Sequence, residues 1–261
     1  VIQDILEKLN VKSDIYGVKN DLVGFAKNIA FSKYDIGVFI GDERENAIFI
    51  DENGNIIDDE TYEVLRAVIL LEFFKFHVLA VPVTASKAME EIAESYKCRI
   101  IRTKTSKRNI LETYLKNEGY FDEKYIINSY LKSLDALSNL ILTLKLMADK
   151  NCTVSSIINK FPKYYTKEEE IMCPWNMKGK VMRSLIEENN SKSMELIEGV
   201  KLNYKNAWAL IIPDSNEPLC RLFMESNSVE NVELLSKKIE KKIEDITGLK
   251  NKDSMYRIKD A

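Results

Sequence analysis

One stretch decides the fold of the C-terminal part of the chain: Trp208-Ala209-Leu210-Ile211-Ile212-Pro213-Asp214-Ser215-Asn216-Glu217-Pro218-Leu219-Cys220-Arg221. Its first five residues are apolar and predict a strand, and a second strand is predicted from Arg221 to Glu225. Between the strands, Glu217-Pro218 is typical of a turn, because proline fixes its own backbone angle and lacks an N–H group. The stretch therefore predicts two strands joined by a polar loop.

The segments on either side of these strands complete a domain. A helix is predicted at 179–188, a further strand at 197–202, and a long helix at 229–247 whose lysines and glutamates form a solvated side. This order predicts a C-terminal α+β domain over residues 166–261. A linker is predicted at its start, because Phe161-Pro162 and Cys173-Pro174 place prolines on both sides of residues 163–172.

Upstream, helices and strands alternate. The pattern predicts a helix at 62–74, a strand at 77–83, a helix at 87–96 with Ser86 as its N-cap, a strand at 99–102 and a long helix at 123–149. Strand, helix and strand in this order predict parallel strands with a right-handed crossover, so residues 58–165 are predicted to form an α/β domain. Residues 1–57 precede it with two helices, strands at 36–40 and 47–50, and a turn at Gly54.

Composition excludes several classes of protein. The 261 residues are 45% hydrophobic and 30% charged, as in ordinary folded proteins. A net charge of -3 gives no basic field that would attract nucleic acid or an anionic membrane. The most apolar stretch, 67–83, is too short to span a bilayer, and the N-terminus has no signal-peptide pattern. These observations predict a cytoplasmic protein that binds neither nucleic acid nor membrane.

The residue types needed for several common chemistries are scarce. The cysteines (Cys98, Cys152, Cys173 and Cys220) are far apart and predict free thiols, not a disulfide framework or a zinc site. The single histidine, His77, lies in an aromatic run and is predicted to pack in the core. With 9 glycines the chain has no Walker loop and no GxGxxG motif.

A series of short motifs, spread over nearly the whole chain, resembles one enzyme family in order and spacing. Residues 197–201 resemble D-G-x-K, residues 208–221 a Trp-led strand followed by R-[PA]-S-G-T-E-P-x-x-R, and Glu225 a glutamate four residues later. Residues 178–182 resemble K-G-x-x-M, residues 81–86 a strand-to-helix turn, residues 103–106 a T-K-x-G loop, and residues 37–54 a strand-loop-strand that carries D-G-D-A-D-R. The chain thus resembles the C-terminal part of the α-D-phosphohexomutases, the phosphoglucomutase and phosphomannomutase family.

The resemblance implies a domain order and a reaction. Residues 1–57 would form the C-terminal half of the second domain, residues 58–165 the third domain, and residues 166–261 the fourth, with mixed sheets in the α/β part. The family interconverts hexose 1- and 6-phosphates. It does so with a phosphoserine in its first domain, Mg²⁺ held by three aspartates, a glutamate loop that contacts sugar hydroxyls, and a phosphate cradle in the fourth domain.

The metal loop departs from the family pattern. Gly41 stands at the first aspartate, Glu43 and Glu45 stand at the other two, and Asn46 replaces the arginine. Octahedral Mg²⁺ tolerates such changes badly. A divalent-ion site built from Glu43, Glu45 or Asp42 and a solvated acidic loop both remain open, and the altered ligands favour the second.

The phosphate cradle is altered as well. Ile212 replaces its arginine, and Asp214 places a negative charge where the family has serine. Ser215, Asn216 and Arg221 are the residues that could still form a weak phosphate site. The other interpretation is that Glu217-Pro218 fixes a turn while Arg221 pairs with Glu225 or Glu217.

Little of the family's sugar-recognition motif is present in this chain. Where the family has G-E-x-S-G-H, this chain has Asn117-Glu118-Gly119-Tyr120-Phe121, so only Glu118 matches. Lys104 matches a family lysine that faces the sugar phosphate, although an exposed loop lysine explains it too. Glu118 and Lys104 are therefore the weak candidates for contacts with a hexose phosphate.

Three hypotheses follow from these matches and departures. The first is a catalytically degenerate region of a mutase-like protein, with a fusion to a sugar-1-phosphate nucleotidyltransferase as its full-length architecture. The second is an active mutase completed by an N-terminal portion that supplies the T-A-S-H-N-P serine loop, since that loop has no counterpart here and the chain opens on Val1. The third is a non-catalytic interaction module. The eroded loops favour the first, which leaves no catalytic residue in this chain.

Overall fold

The computed structural model describes residues 2–17, 21–40, 47–189 and 193–249. The predicted metal ligands Asp42, Glu43 and Glu45 lie outside these residues. In chain order the elements are α1 (Ile2–Lys8), α2 (Leu22–Ser32), β1 (Gly37–Ile40), β2 (Ala47–Ile50), α3 (Asp59–Phe74), β3 (Val78–Pro82), α4 (Ala88–Ser95), β4 (Arg99–Thr103), α5 (Lys107–Asn117), α6 (Glu123–Leu134), α7 (Ala136–Lys150), α8 (Val154–Ile158), β5 (Tyr165–Met172), α9 (Trp175–Glu187), β6 (Met194–Glu195), β7 (Val200–Asn203), β8 (Ala207–Pro213), β9 (Leu219–Ser226) and α10 (Val229–Thr247).

The chain forms two compact units. One combines the residues up to His77 with Glu118–Phe161, and the other combines Val78–Asn117 with the residues from Pro162 on. The predicted fold class, α/β with a C-terminal α+β domain, is confirmed. The predicted domain boundaries at 57 and 165 stay a prediction.

The first unit packs helices around an antiparallel strand pair. β1 pairs with β2, and Ile50 at the end of β2 is buried against Ala26 and Ile29 of α2. Gly54 takes the predicted positive φ, 81°, and an added Cβ there would lie 2.7 Å from the Ala26 carbonyl oxygen. The turn therefore needs glycine for its conformation and for its close approach to α2.

The prediction of one long helix at 123–149 is wrong in one respect, because the segment forms two helices, α6 and α7, which are separated at Asp135. That residue has an extended conformation (φ -87°, ψ 125°), and its carboxylate accepts the Ser138 N–H at 2.6 Å. Asp135 thus ends one helix and caps the next. Arg66 of α3 donates to the Ser133 carbonyl at 2.8 Å just before the break.

The second unit begins with a β-α-β segment. β3 and β4 pair in parallel, as predicted, with Val78 opposite Arg99. The helix between them starts one residue later than predicted: Lys87 is the N-cap, while the Ser86 hydroxyl accepts the Ala88 N–H at 3.2 Å.

A five-stranded antiparallel sheet in the order β5-β9-β8-β7-β6 forms the rest of this unit. Its core lies between the sheet and two helices, α9 and α10, where Val181, Leu185, Ile239 and Ile243 are buried. The predicted linker is wrong, because β5 occupies it and pairs with β9 along eight residues from Tyr165 to Met172. Within the residues described, no helix is long and apolar enough to cross a membrane.

Candidate functional site

The loop between β8 and β9 is the centre of the candidate site. Its two strands are paired up to Pro213 and Cys220, so the loop is short and its ends are fixed. The Asp214 N–H donates to the Leu219 carbonyl at 3.1 Å, and the Cys173 N–H donates to the Pro218 carbonyl at 2.8 Å. The loop is therefore held both by its own strands and by the segment that follows β5.

The carboxylate of Asp214 binds the hydrogen-bond donors of this loop. One oxygen accepts the N–H groups of Asn216 at 2.7 Å and Glu217 at 3.0 Å, and the other lies 2.9 Å from Nε of Arg221. These hydrogen bonds, that from Asn216 first, and the Arg221 charge hold the pKa of Asp214 below its ordinary value. Two backbone N–H groups and a guanidinium are what a phosphate group would bind.

This arrangement corrects one of the sequence interpretations. Arg221 was expected to pair with Glu225 or Glu217 if it bound no phosphate, but its partner is Asp214. The side chains of Ser215 and Asn216 are exposed. The loop therefore brings the three predicted phosphate-binding residues together, with an internal carboxylate among them.

Lys178 fixes the carbonyl groups of the same loop. Its ammonium, on α9, donates to the carbonyl oxygens of Asp214 and Glu217 and lies 3.6 Å from the centre of the Trp175 ring. Lys178 is only 9% exposed. A buried cation thus binds two carbonyl groups of the loop, and the Asp214 carboxylate binds two of its N–H groups. Both the acceptors and the donors of the loop backbone are therefore fixed.

A second network fixes the turn between β3 and α4. The Arg102 guanidinium donates to the Ala85 carbonyl at 2.8 Å and to the Glu90 carboxylate at 2.9 Å. The carboxylate of Glu225 accepts the Lys87 N–H at 3.0 Å and the Trp208 indole N–H at 2.8 Å. Glu225 is 1% exposed and lies where the N-terminus of α4 would otherwise attract an anion.

Lys201 holds the same turn from β7. Its ammonium donates to the Val83 carbonyl at 3.0 Å and lies 4.2 Å from the centre of the Trp208 ring. Burial first, and the nearby Arg102 charge second, lower the pKa of Lys201 to about 8. The cost of burying this ammonium is therefore present in the folded protein near neutral pH.

We expect the unfolding free energy to rise with pH between about 8 and 10.5 because of Lys201. In that range the unfolded lysine still holds a proton that the folded lysine has released, so higher pH favours the folded state. The unfolding free energy of the wild type minus that of Lys201→Met should increase by roughly 2 kcal/mol from about pH 7.5 to pH 10, measured by urea denaturation. Lys205→Met, which removes an exposed lysine, is the control. A difference that stays flat for Lys201→Met would contradict this.

Lys104 lies elsewhere in the same unit. It is exposed and lines a cavity of about 330 Å³ together with Glu198, Gly199 and Pro213. The Glu198 carboxylate accepts the backbone N–H and the hydroxyl of Thr105 at 2.8 and 3.0 Å, which ties the loop of Lys104 to the segment before β7. The cavity therefore places Lys104 near the start of the Asp214 loop.

Glu118 lies in the other unit and is fully buried. Its carboxylate contacts Nδ1 of His77 at 3.2 Å. The prediction that His77 packs in the core is wrong, because 59% of its side chain is exposed. No group of three or more His, Cys, Asp or Glu residues that could hold a metal ion occurs among the residues described.

Sequence reasoning missed the roles of Lys178, Lys201 and Glu225. All three lie in stretches that resemble family motifs, but the motifs do not indicate their contacts. Apart from the Trp208 indole, which donates to Glu225, their hydrogen-bond partners are backbone carbonyl and N–H groups far away in the chain, and no local pattern reveals such pairs.

Comparison with known proteins gives the relatives of this chain. No protein-family model matches it. It is 26% identical over 235 residues to a probable phosphoglucosamine mutase of Pyrococcus abyssi, covering 87% of this chain and 52% of the relative. A phosphoglucosamine mutase of Methanococcus maripaludis is 26% identical (77% and 46% covered), and a phosphoglucomutase/phosphomannomutase of Thermococcus kodakarensis is 23% identical (81% and 48%). The chain thus spans about half the length of these relatives.

Solved structures share its fold. A phosphoglucomutase/phosphomannomutase family protein of Burkholderia thailandensis matches with a TM-score of 0.65 at 13% identity, over 87% of this chain and 50% of that one. A putative phosphomannomutase of Thermus thermophilus matches with a TM-score of 0.61 at 13% identity, over 93% and 57%. In sequence and in fold, the chain is similar to the C-terminal part of phosphoglucosamine mutases and phosphoglucomutase/phosphomannomutases, as its motifs predicted.

Proposed function

We propose that this chain is the C-terminal region of a phosphohexomutase-like protein of hexose-phosphate metabolism, and that the region is catalytically degenerate by itself. The observation that carries the proposal is the Asp214 carboxylate, which pairs with Arg221 and accepts two loop N–H groups. A phosphate group would need the same donors and would meet a negative charge beside them. The contacts of Lys178 with the loop carbonyls also support the proposal, because they hold the shape of the loop while the Asp214 carboxylate occupies its anion site.

The substrate class comes from the relatives. A structural neighbour, the N-acetylphosphoglucosamine mutase of Aspergillus fumigatus, was solved in complex with GlcNAc-6P and magnesium (TM-score 0.52, 12% identity). Hexose phosphates are therefore the ligands we propose for the whole protein. A cytoplasmic location and a fusion to a sugar-1-phosphate nucleotidyltransferase belong to the same proposal. The sequence encoded upstream of Val1 tests the fusion: a G-G-x-G-[ST]-R-L segment supports it, and a T-x-S-H-N-P segment favours an active mutase.

An activity assay tests the degenerate state directly. This polypeptide, supplied with Mg²⁺ and a hexose 1,6-bisphosphate, should not interconvert hexose 1- and 6-phosphates above the uncatalysed rate. Turnover that disappears in Glu43→Ala would overturn the proposal, because it would show that the altered acidic loop still supports catalysis.

Asp214→Ser should open the loop to phosphate. The change frees Arg221 and the N–H groups of Asn216 and Glu217, and it removes a like charge. Since a hydrogen bond to a charged group contributes about 1.5–3 kcal/mol, inorganic phosphate should bind at least about tenfold more tightly than the millimolar binding expected of the wild type. Amide NMR shifts of residues 216 and 217 in a phosphate titration measure this.

Two further variants make the phosphate result specific. Asp149→Ser removes one negative charge from an exposed pair with Lys145 on α7, so it should leave phosphate affinity unchanged. Adding Arg221→Ala to Asp214→Ser should abolish the gain. An affinity that Asp214→Ser does not change would mean that these donors do not form an anion site, and the interaction-module hypothesis would then be favoured.

A further inference from the structure

A cavity of about 810 Å³ lies within the first unit. Its walls are formed by α1, α2, β1, α7 and the segment between α1 and α2, residues 11–17. This volume falls within the roughly 300–1,000 Å³ that is typical of sites for small molecules. The apolar side chains that the helices contribute are Ile2, Leu6, Phe25, Ile29, Leu140 and Leu144. The body of the cavity is therefore suited to an apolar molecule.

The walls of this cavity are held in place by the core of the unit. All four residues of β1, Gly37–Ile40, line it, and β1 pairs with β2 along its whole length. A Cβ at Gly37 would lie 2.6 Å from Cγ1 of Ile29, so glycine lets β1 pack directly on α2. Ile29 is in turn buried against Ile50. The cavity is therefore preformed, and a ligand does not have to order its walls.

Hydrogen bonds between side chains give the cavity a polar part. The Tyr34 hydroxyl donates to the Asp14 carboxylate, and the Tyr16 hydroxyl oxygen lies 2.9 Å from that of Tyr34. The hydrogen bond to Asp14 raises the pKa of Tyr34, so this phenol stays protonated and holds the carboxylate in place. A carboxylate has two acceptor oxygens, so Oδ1 of Asp14 can accept from a ligand while Oδ2 holds Tyr34. Lys12 also lines the cavity and adds an ammonium group.

We propose that this cavity binds an alcohol, with the alkyl body between the apolar walls and the hydroxyl group on Asp14 and Lys12. The Asp14 charge would repel a carboxylate or phosphate head group, and the Lys12 charge would repel an ammonium head group. A hydroxyl group is uncharged, and it can donate to the carboxylate and accept from the ammonium at the same time. Asp14 and Lys12 belong to none of the loops considered above for phosphate, sugar or metal, so this site is independent of the proposed function.

Three ligands with the same alkyl chain test the head group. Octan-1-ol, octanoate and octylammonium are titrated separately into the intact chain at pH 7, and the backbone amide resonances of Val38 and Ile40 are followed by NMR. Octan-1-ol should shift them along a saturable curve. The two charged ligands should bind about three- to tenfold more weakly, because each meets a like charge and forms one hydrogen bond fewer. The amide of Leu210, which is buried in the other unit, should not respond. A lack of saturation with octan-1-ol, or equal affinity for the three ligands, would overturn the proposal.

Two variants of the polar residues should change the head-group preference in opposite directions. Asp14→Asn removes the negative charge and should favour octanoate over octan-1-ol by at least about threefold relative to the wild type, and Lys12→Met should favour octylammonium to the same degree. Lys27→Met removes an exposed lysine on α2, away from the residues that line the cavity, and should leave the three affinities unchanged. The same change of preference in all three variants would contradict the site.

A larger side chain in the cavity tests the position of the alkyl body. Leu144→Trp should fill the cavity and abolish the binding of octan-1-ol, while Leu131→Trp, at an exposed position on α6, should not. Retained binding in a folded Leu144→Trp protein would overturn the proposal. Amide shifts of β1 that appear with rising protein concentration and without alcohol would also overturn it, because they would show that a second copy of the chain occupies the cavity. Asp14→Asn and Lys12→Met change exposed residues, so they decide the question even if Leu144→Trp does not fold.

Discussion

Glu225→Ala should lower the unfolding free energy by about 3–5 kcal/mol, measured by urea denaturation. The Glu225 carboxylate is buried and accepts the N–H groups of Lys87 and Trp208. Alanine would leave both donors in a dry environment without an acceptor, and an unsatisfied buried group costs more than a lost hydrogen bond. The positive N-terminus of α4 would also lose the negative charge that faces it.

Two companion variants define the origin of this loss. Glu187→Ala removes an exposed glutamate at the end of α9 and should change stability by no more than about 0.5 kcal/mol. Glu225→Gln keeps one acceptor oxygen without the charge, so its effect should lie between the two. If Glu225→Ala proved as mild as Glu187→Ala, the carboxylate could not be what joins the turn of β3 and α4 to the sheet.

Local pattern and turn chemistry account for the parts of the fold that the sequence predicted well. The strands around residues 208–225 are apolar runs bounded by proline and polar residues, and α10 has the predicted bounds, 229–247. A capping serine, Ser228, and a terminal glycine, Gly248, mark its ends. Where neighbouring residues determine whether a segment is a helix or a strand, the periodicity of apolar residues is sufficient to predict it.

Tertiary pairing accounts for the errors. β5 carries Lys167, Glu168, Glu169 and Glu170, a composition that does not favour a strand, yet its pairing with β9 makes it one. At Asp135 the apolar pattern continues on both sides, so periodicity could not detect the single extended residue that separates α6 from α7. In both cases the deciding contacts are absent from the local sequence.

The contacts of the candidate site are likewise of two kinds, local ones that the sequence indicates and tertiary ones that it does not. The contacts of Asp214 with the N–H groups of Asn216 and Glu217 are local and typical of aspartate in turns. Its pair with Arg221 depends on the β8–β9 register, which the sequence left open. His77 was misassigned because the strand predicted from residue 77 begins at Val78, so His77 lies in the connection between α3 and β3 and not in a buried strand.

Gly199→Ala should lower the unfolding free energy by about 3 kcal/mol or more, or prevent folding. A Cβ at this position would lie 2.2 Å from the Ile211 carbonyl oxygen and 3.0 Å from its carbon, and both atoms belong to the backbone of β8. No rotamer can relieve the clash, so β7 would have to move away from β8, where Val200 pairs with Ile211.

Gly179→Ala is the matched control for this substitution. An added Cβ there meets nothing within 4 Å, and alanine inside α9 should stabilise the protein by about 0.5–1 kcal/mol. The same glycine-to-alanine change should therefore have opposite signs at the two positions in parallel urea denaturations. A displaced β7 would also draw Lys201 from the Val83 carbonyl, so a folded Gly199→Ala protein should lose the alkaline rise in stability assigned to Lys201. Wild-type stability in Gly199→Ala would show that β7 and β8 are not in close backbone contact at this point.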